Sequence, residues 1–438
     1  MNTPKEQISN EIWTAPGAVT RFLQVCTQLV TQLAVSILRH IPGLSRIVDR
    51  PAMQPLRSSN WAMLRWARAP YGSQSKPASL AEIPWDYVKE NAARIPFVGL
   101  REYWYPALRS RELPNNKPVP VTMLGDNVVF FRDSNGAARA MENRCPHRGA
   151  LLSLGQVGVY APGTITCRYH GMTFDGEGNC VAVLADGPDS RACGRITAKT
   201  YPVAETGSVV WIYMGEKAPE SLVDSVPHIR EALEVSDTLV VLRDEWPVNY
   251  LATLDNDTDL AHPSCIHRTC LPFMSQKMWG EIGVEEQDDG GIRSFFKDTQ
   301  AHPGQLTVES TLWYLPNIAY FGPGMIGFQP RDHSFVWAVP RDIGNTAYWI
   351  LLATPMPTLP VVRSIAWHAA HLSAGLYYRW PGSPVSCVEG SDAAMIQSQG
   401  RVARWDKDRL LSVDAATARA RLKLKQAYQA ELAESRTA

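Results

Sequence analysis

Neither sign of charge predominates in this 438-residue chain, where 43 Lys and Arg are matched by 43 Asp and Glu. No basic run interleaves with aromatics, so a nucleic-acid face is not expected and a small-molecule partner is. A disulfide framework is missing too. The eight cysteines (26, 145, 167, 180, 193, 265, 270 and 387) are scattered, and no charged, apolar, small-residue cleavage pattern opens the chain. A reducing cytoplasm is therefore the expected compartment, and there Cys and His at fixed spacing point to metal. No apolar run is a good membrane span. Residues 22–38 carry no charge, but Gln24, Thr27, Gln28, Thr31, Gln32 and Ser36 interrupt them and their length sits at the lower limit. Apolar positions 22, 25, 26, 29, 30, 33 and 37 follow helical spacing, so residues 19–39 read as an amphipathic helix. It packs on protein or, in the alternative, lies peripherally on a membrane surface. Repeats and low-complexity tracts are absent as well, and the one G-x-G-x-x-G run, at 322–327, is followed by a strand-like stretch at 334–339 rather than a helical pattern, so the chain is not expected to take electrons from NAD(P)H itself.

What is present is segmental. Residues 1–96 form an extension with Pro, Ser and Arg punctuation from Pro42 to Pro84. Short β-rich runs then appear at 119–124 and 128–131 around a Gly125-Asp126-Asn127 turn, at 163–167 and at 208–214, with an Asn135-Gly136 hairpin signal. Residues 97–216 are expected to be a compact all-β domain. From 217 to 438 helical and strand patterns mix, with strand-like runs at 239–242, 334–339 and 347–353, and 413–434 predicts a closing helix capped by Asp414. The expected class is α+β.

Within the β segment, Cys145-Pro146-His147-Arg148-Gly149 is followed, after nineteen residues beyond His147, by Cys167-Arg168-Tyr169-His170-Gly171. Two thiolates and two imidazoles in paired loops suit either a structural zinc or a Rieske cluster, and ligand type alone does not decide. In the second half, residues 249–267 contain D-x-x-H-x-x-x-x-H, formed by Asp259, His262 and His267. Two His and one carboxylate on one face of Fe(II) leave open positions for oxygen and substrate. A five-residue separation places two rings on divergent faces of a straight helix, so a break is required, and Pro263 supplies one just after His262. Asp259, three residues before His262, is expected on the same helical face, its carboxylate accepting from an imidazole N–H.

The two Cys-His boxes resemble those of Rieske non-haem iron oxygenases. The resemblance implies that Cys145, His147, Cys167 and His170 hold a 2Fe-2S cluster. Neither loop has the extra Cys of respiratory Rieske proteins, and Cys180 and Cys193 read as buried reduced thiols. The 246–267 segment is similar to the family's W...E-N-x-x-D-x-x-H-x-x-x-x-H region, with Trp246, Asn256, Asp259, His262 and His267 in place and Asp255 standing where Glu is usual. The later Gly390-Ser391-Asp392 segment resembles the family's closing region, which implies Asp392 as the third iron ligand with Glu389 as fallback. The resemblance also implies a helix-grip (START-like) catalytic domain after the all-β Rieske domain, a homotrimer in which Asp259 bridges electrons between subunits, and a catalytic place for Asn256. It implies further that electrons from NAD(P)H arrive through a separate reductase, with a ferredoxin as a possible intermediate carrier. The expected activity is oxidation of a hydrophobic aromatic or polycyclic metabolite with O2, by hydroxylation or oxidative demethylation; ring cis-dihydroxylation and desaturation are alternatives. Trp279, Phe296, Trp313, Tyr320, Phe321, Phe328 and Trp337 are available to line a pocket, with core packing as the plainer role. A zinc-stabilised binding module and a Rieske electron carrier are the rival readings from other classes.

Overall fold

The computed structural model describes residues 82–262, 281–297, 310–322, 332–355 and 392–436. Residues 19–39, His267, Trp279, Phe328 and Glu389 lie outside the described residues. The first element, α1 (Trp85–Asn91), turns Tyr87 and Val88 inward, and with Ile95, Phe97 and Leu100 they enter the core of the second domain. The end of the 1–96 segment thus folds as part of that domain.

Eleven strands follow: β1 (Trp104–Arg109), β2 (Val119–Met123), β3 (Asp126–Arg132), β4 (Ala138–Glu142), β5 (Gln156–Val157), β6 (Ile165–Thr166), β7 (Met172–Phe174), β8 (Cys180–Val183), β9 (Thr200–Tyr201), β10 (Val203–Thr206) and β11 (Val209–Tyr213). They form three antiparallel sheets ordered β1-β11-β10, β2-β3-β4-β9 and β5-β6-β7-β8. Strand β3 shows why the domain has two cores. Successive side chains leave a strand on opposite faces, so Val128 and Phe130 join a core with Trp211, while Val129 and Phe131 join one that holds Cys145 and Cys167. Both faces are buried, which is why the run reads as continuous hydrophobic sequence.

The second domain adds α2 (Leu222–Ser225), α3 (Ile229–Val235), β12 (Val240–Trp246), α4 (Tyr250–Thr258), β13 (Ile282–Glu286), β14 (Ile292–Phe296), β15 (Ser310–Tyr314), β16 (Ile318–Phe321), β17 (His333–Asp342), β18 (Asn345–Ala353), α5 (392–398) and α6 (Ala415–Ser435). Its antiparallel sheet runs β12-β18-β17-β16-β15-β14-β13. One face carries Trp313, Ala319, Val336, Ala338 and Tyr348, packed with Leu251 and Leu254 of α4, Ile396 of α5 and Ala420 and Leu424 of α6. The opposite face carries Tyr320, Phe335, Trp337 and Trp349 into the core shared with Trp211. Tyr320 and Trp337, offered by the sequence as pocket lining, therefore sit on the face turned away from α4, because each occupies the other strand parity. Among the described residues no helix is long and apolar enough to cross a membrane.

The closing helix forms, although Asp414 does not cap it as expected: its Oδ2 accepts the Leu411 N–H at 2.6 Å, in the turn before the helix. Helix α6 is tied to α4 by a buried ion pair. Arg421 donates from Nε and Nη2 to both oxygens of Asp255 at 2.8 Å, and Trp405 Nε1 donates to the same carboxylate at 2.9 Å. Burial pushes the Asp255 carboxyl up to about 6, against the pull of Arg421 and the Trp405 hydrogen bond. A pair of this kind adds little net stability, yet either partner alone is costly. Arg421 Nη2 also donates to Asp408 Oδ2 at 2.6 Å, so Arg421→Met, which removes the cation from the Asp255 carboxylate, is expected to lower unfolding stability by about 3 kcal/mol, read as a drop in the urea midpoint, and Asp255→Leu/Arg421→Met should recover most of it. A double variant no more stable than the single one would contradict this account.

Two histidines behind the sheet have structural homes. His228 stacks on Tyr320 at 4.0 Å and pairs through Nε2 with Tyr314 Oη at 2.7 Å. Tyr314 donates its one proton to Asp289 Oδ2, so it accepts from a His228 Nε2–H. Nδ1 of His333 pairs with Tyr320 Oη at 2.8 Å. Burial holds both rings below the usual histidine range. A lowered folded value means the unfolded chain binds the proton first, so stability should fall as pH drops below about 6.5. His228→Gln should flatten that slope in pH-dependent urea unfolding, and an unchanged slope would assign it elsewhere.

Candidate metal centres

The two Cys-His boxes fold as one repeated turn. In the β4–β5 loop the Cys145 N–H donates to Ala150 O at 2.8 Å and the Gly149 N–H donates to Cys145 O at 2.9 Å. In the β6–β7 loop the Cys167 N–H donates to Met172 O at 2.8 Å and the Gly171 N–H donates to Cys167 O at 3.0 Å. Each turn closes on a left-handed glycine, with φ of +78° at Gly149 and +68° at Gly171. A Cβ on Gly171 would stand 2.5 Å from Leu184 Cβ, so that position needs glycine for space as well as for φ.

These turns sort the donors by type. Cys145 and Cys167 are buried at the base, and the Cys145 thiol lies within hydrogen-bonding reach of the Cys167 thiol. Burial pushes Cys145 up to about 11, opposed by the backbone N–H groups of His147 and Arg148 that point at its sulfur. The imidazoles of His147 and His170 lie side by side with centroids 4.6 Å apart, toward the surface. Among the described residues no three His, Cys, Asp or Glu side chains converge as a single ion would need. Thiol beside thiol and imidazole beside imidazole is the sorting that two irons of unlike ligation would use. N–H groups aimed at a sulfur favour its thiolate, the form a metal takes.

The second centre gathers at the end of α4. The helix stops at Thr258 with Asp259 extended (φ −85°, ψ 105°), four residues before Pro263, so the break precedes the position expected from proline. Asp259 is therefore not on a helical face shared with His262. Its Oδ1 instead accepts the N–H groups of Ala261 and His262 at 2.7 and 3.3 Å, as a cap for the next turn. The His262 ring is oriented by backbone: Nδ1 lies 2.7 Å from the carbonyl oxygen of Asp259 and 3.6 Å from its carboxylate. A carbonyl only accepts, so Nδ1 carries the proton and a neutral ring turns its Nε2 lone pair outward. Facing it at 3.7 Å is Oδ1 of the buried Asp392, the first described residue of α5. Two lone-pair donors at that spacing fit neighbouring positions on one ion whose bonds are about 2.1 Å.

Asn256 hydrogen-bonds through its side chain to Asp257, whose Oδ1 accepts the Tyr348 hydroxyl at 3.0 Å. Burial pushes the Asp257 carboxyl up to about 8, helped by the nearby charge of Asp392 and opposed by the Tyr348 hydrogen bond. Sequence reasoning did not single out Asp257. Its signal was available: Asp255 and Asp257 are two residues apart on a helix and so cannot share a face, which requires separate partners for the two.

The family model for the Rieske [2Fe-2S] domain matches residues 103–202. The oxygenase subunit of 3-chlorobenzoate-3,4-dioxygenase from Comamonas testosteroni is 37% identical over 175 residues, which cover 39% of this chain and 39% of that protein. The chain thus spans about two fifths of that relative. The terminal oxygenase component of carbazole 1,9a-dioxygenase from Sphingomonas sp. is 35% identical over 311 residues, covering 68% of this chain and 76% of the relative. Among solved structures, the reduced complex between oxygenase and ferredoxin in carbazole 1,9a-dioxygenase superposes with a TM-score of 0.60 at 22% identity, over 80% of this chain and 97% of that one.

Gly171→Ala should cost about 1–3 kcal/mol of overpacking beyond about 1 kcal/mol of backbone strain, and should lower acid-labile sulfide per purified chain. Gly136→Ala, at φ +78° with nothing within 4 Å of the added carbon, carries the strain alone and should keep its sulfide. Equal sulfide in both variants would refute the steric account.

Proposed function

The chain belongs to the Rieske non-haem iron oxygenases, as a terminal-oxygenase chain, and from that premise we propose that it oxidises a hydrophobic aromatic or polycyclic compound with O2 by monooxygenation, as hydroxylation or oxidative demethylation. The observation that carries the reading is the outward Nε2 of His262 facing the buried carboxylate of Asp392 at 3.7 Å. In this reading Cys145 and Cys167 hold one cluster iron, His147 and His170 the other, and His262, His267 and Asp392 hold Fe(II). When bound, the cluster supplies one-electron transfer and the mononuclear iron supplies activation of O2.

The protein's own residues supply position and environment. The Asp259 carbonyl keeps the proton on His262 Nδ1, and α5 presents Asp392. The apolar character of the substrate rests on the family membership, since Trp313, Ala319, Val336 and Ala338 on the sheet face behind α4 are taken up in packing against α4, α5 and α6. Electrons from NAD(P)H enter through a separate reductase and a ferredoxin, a reading supported by the ferredoxin-bound solved neighbour. The chain acts as a homotrimer, with Asp259 linking the iron of one subunit to the cluster of the next and Asn256 supporting it. Ring cis-dihydroxylation is the second reading, favoured by the names of both relatives as dioxygenases.

Turnover of aromatic candidates under 18O2 with a reductase and ferredoxin tests the proposal. One labelled oxygen is expected in a hydroxylated product, whereas demethylation should release the label with the formaldehyde and leave none in the demethylated product; two on adjacent carbons would replace both with dihydroxylation, and turnover with NADH alone would sink the partner requirement. Asp392→Ala should lower iron from about three to about two per chain at unchanged sulfide and abolish product. Zinc without sulfide in the unaltered chain would overturn the whole assignment.

A further inference from the structure

Outside both metal centres, the described residues hold one more close pair of nucleophiles. Cys180, on β8, is 2% exposed and belongs to the same core as Cys145 and Cys167. Cys193 packs against that core from the 184–199 segment and is half-buried. The backbone brings them together on both sides of Cys180: its N–H donates to Ile196 O at 3.0 Å, and its carbonyl accepts the Gly194 N–H at 3.0 Å. The Cys180 thiol donates to Ala182 O at 3.6 Å, and burial, then the neighbouring Cys193 thiol, pushes it up to about 11. Cys193 rides on a run of short turns, with its N–H donating to Ser190 O and the Ile196 N–H donating to Ala192 O, rather than on a strand. A turn segment of this kind can take up the small shift that an S–S bond requires.

We propose that Cys180 and Cys193 form a redox-active dithiol that closes to a disulfide by exchange with a low-molecular-weight disulfide, bracing the 184–199 segment against β8. The more accessible Cys193 sulfur attacks first, breaking the S–S bond of the small disulfide, releasing one small thiolate and leaving a mixed disulfide. Cys180 then gives up its proton and attacks the Cys193 sulfur, forming the protein disulfide and releasing the second small thiol. Two protein thiols are thus oxidised by two electrons while one disulfide is reduced to two thiols. The inference rests on the fold of the Rieske domain and is independent of the proposed oxygenation.

The sequence makes the test clean. Trypsin cuts at Arg168, Arg191 and Arg195, so Cys180 and Cys193 fall on separate peptides, 169–191 and 192–195. The purified holoprotein is equilibrated with glutathione buffers of rising oxidised fraction, alkylated, digested without reductant and analysed by mass spectrometry, with cluster absorbance followed throughout. The expected result is a linked 169–191/192–195 species that rises with the oxidised fraction and disappears with dithiothreitol while the cluster stays bound. Cys180→Ser should carry one glutathione on Cys193, and Cys193→Ser should leave Cys180 reduced. Both thiols staying reduced, a glutathione adduct on Cys193 that never resolves, or a link that appears only after cluster loss would each overturn the proposal.

Discussion

The ion pair between Asp255 and Arg421 is the constraint on which the catalytic half depends. It fixes α4 against α6, and α4 ends in the residues that orient His262. Ten residues further along α6, Glu431 accepts the N–H groups of Arg101 and Glu102 at 3.0–3.1 Å, where the chain enters the Rieske domain. At 1.5 Å per residue, those ten residues span about 15 Å. One helix therefore spaces the entry to the Rieske domain from the helix that ends at the candidate mononuclear site. The pair carries a desolvation cost, visible in the raised Asp255 carboxyl.

The sequence was most legible where chemistry dictates residue type. Thiols and imidazoles in matched five-residue boxes marked the two candidate ligand loops within the Rieske domain, and the structure adds that both boxes are the same turn despite placing His at the third position in one and the fourth in the other. The α+β class and the long closing helix were also legible, since alternating and helical periods leave distinct patterns. Side assignments were not. Tyr320 and Trp337 look like any other aromatics in the string, and only the register of β16 and β17 against their neighbours sends them to the face shared with Trp211. The break before His262 was placed too late for a related reason. Proline signals a helix end locally, whereas here the end is made by Asp259 turning extended and capping the next turn with its own side chain.

That turn alters the electrostatic reading of the centre. A carboxylate accepting from an imidazole Nδ1–H would raise the basicity of the ring and bind it more firmly to a cation. A backbone carbonyl fixes the same tautomer with less charge, and the Asp259 carboxylate, held below the usual carboxylate range, against burial, by the His262 ring and then by the two backbone N–H groups it accepts, keeps its second oxygen 3.6 Å from the ring. The residue therefore serves two purposes through different atoms. Its carbonyl sets the direction of Nε2, while its carboxylate rigidifies the turn and remains charged within reach of the imidazole. Replacing the side chain by an isostere that can still cap would separate these purposes, because the carbonyl stays where the backbone puts it while the negative charge goes.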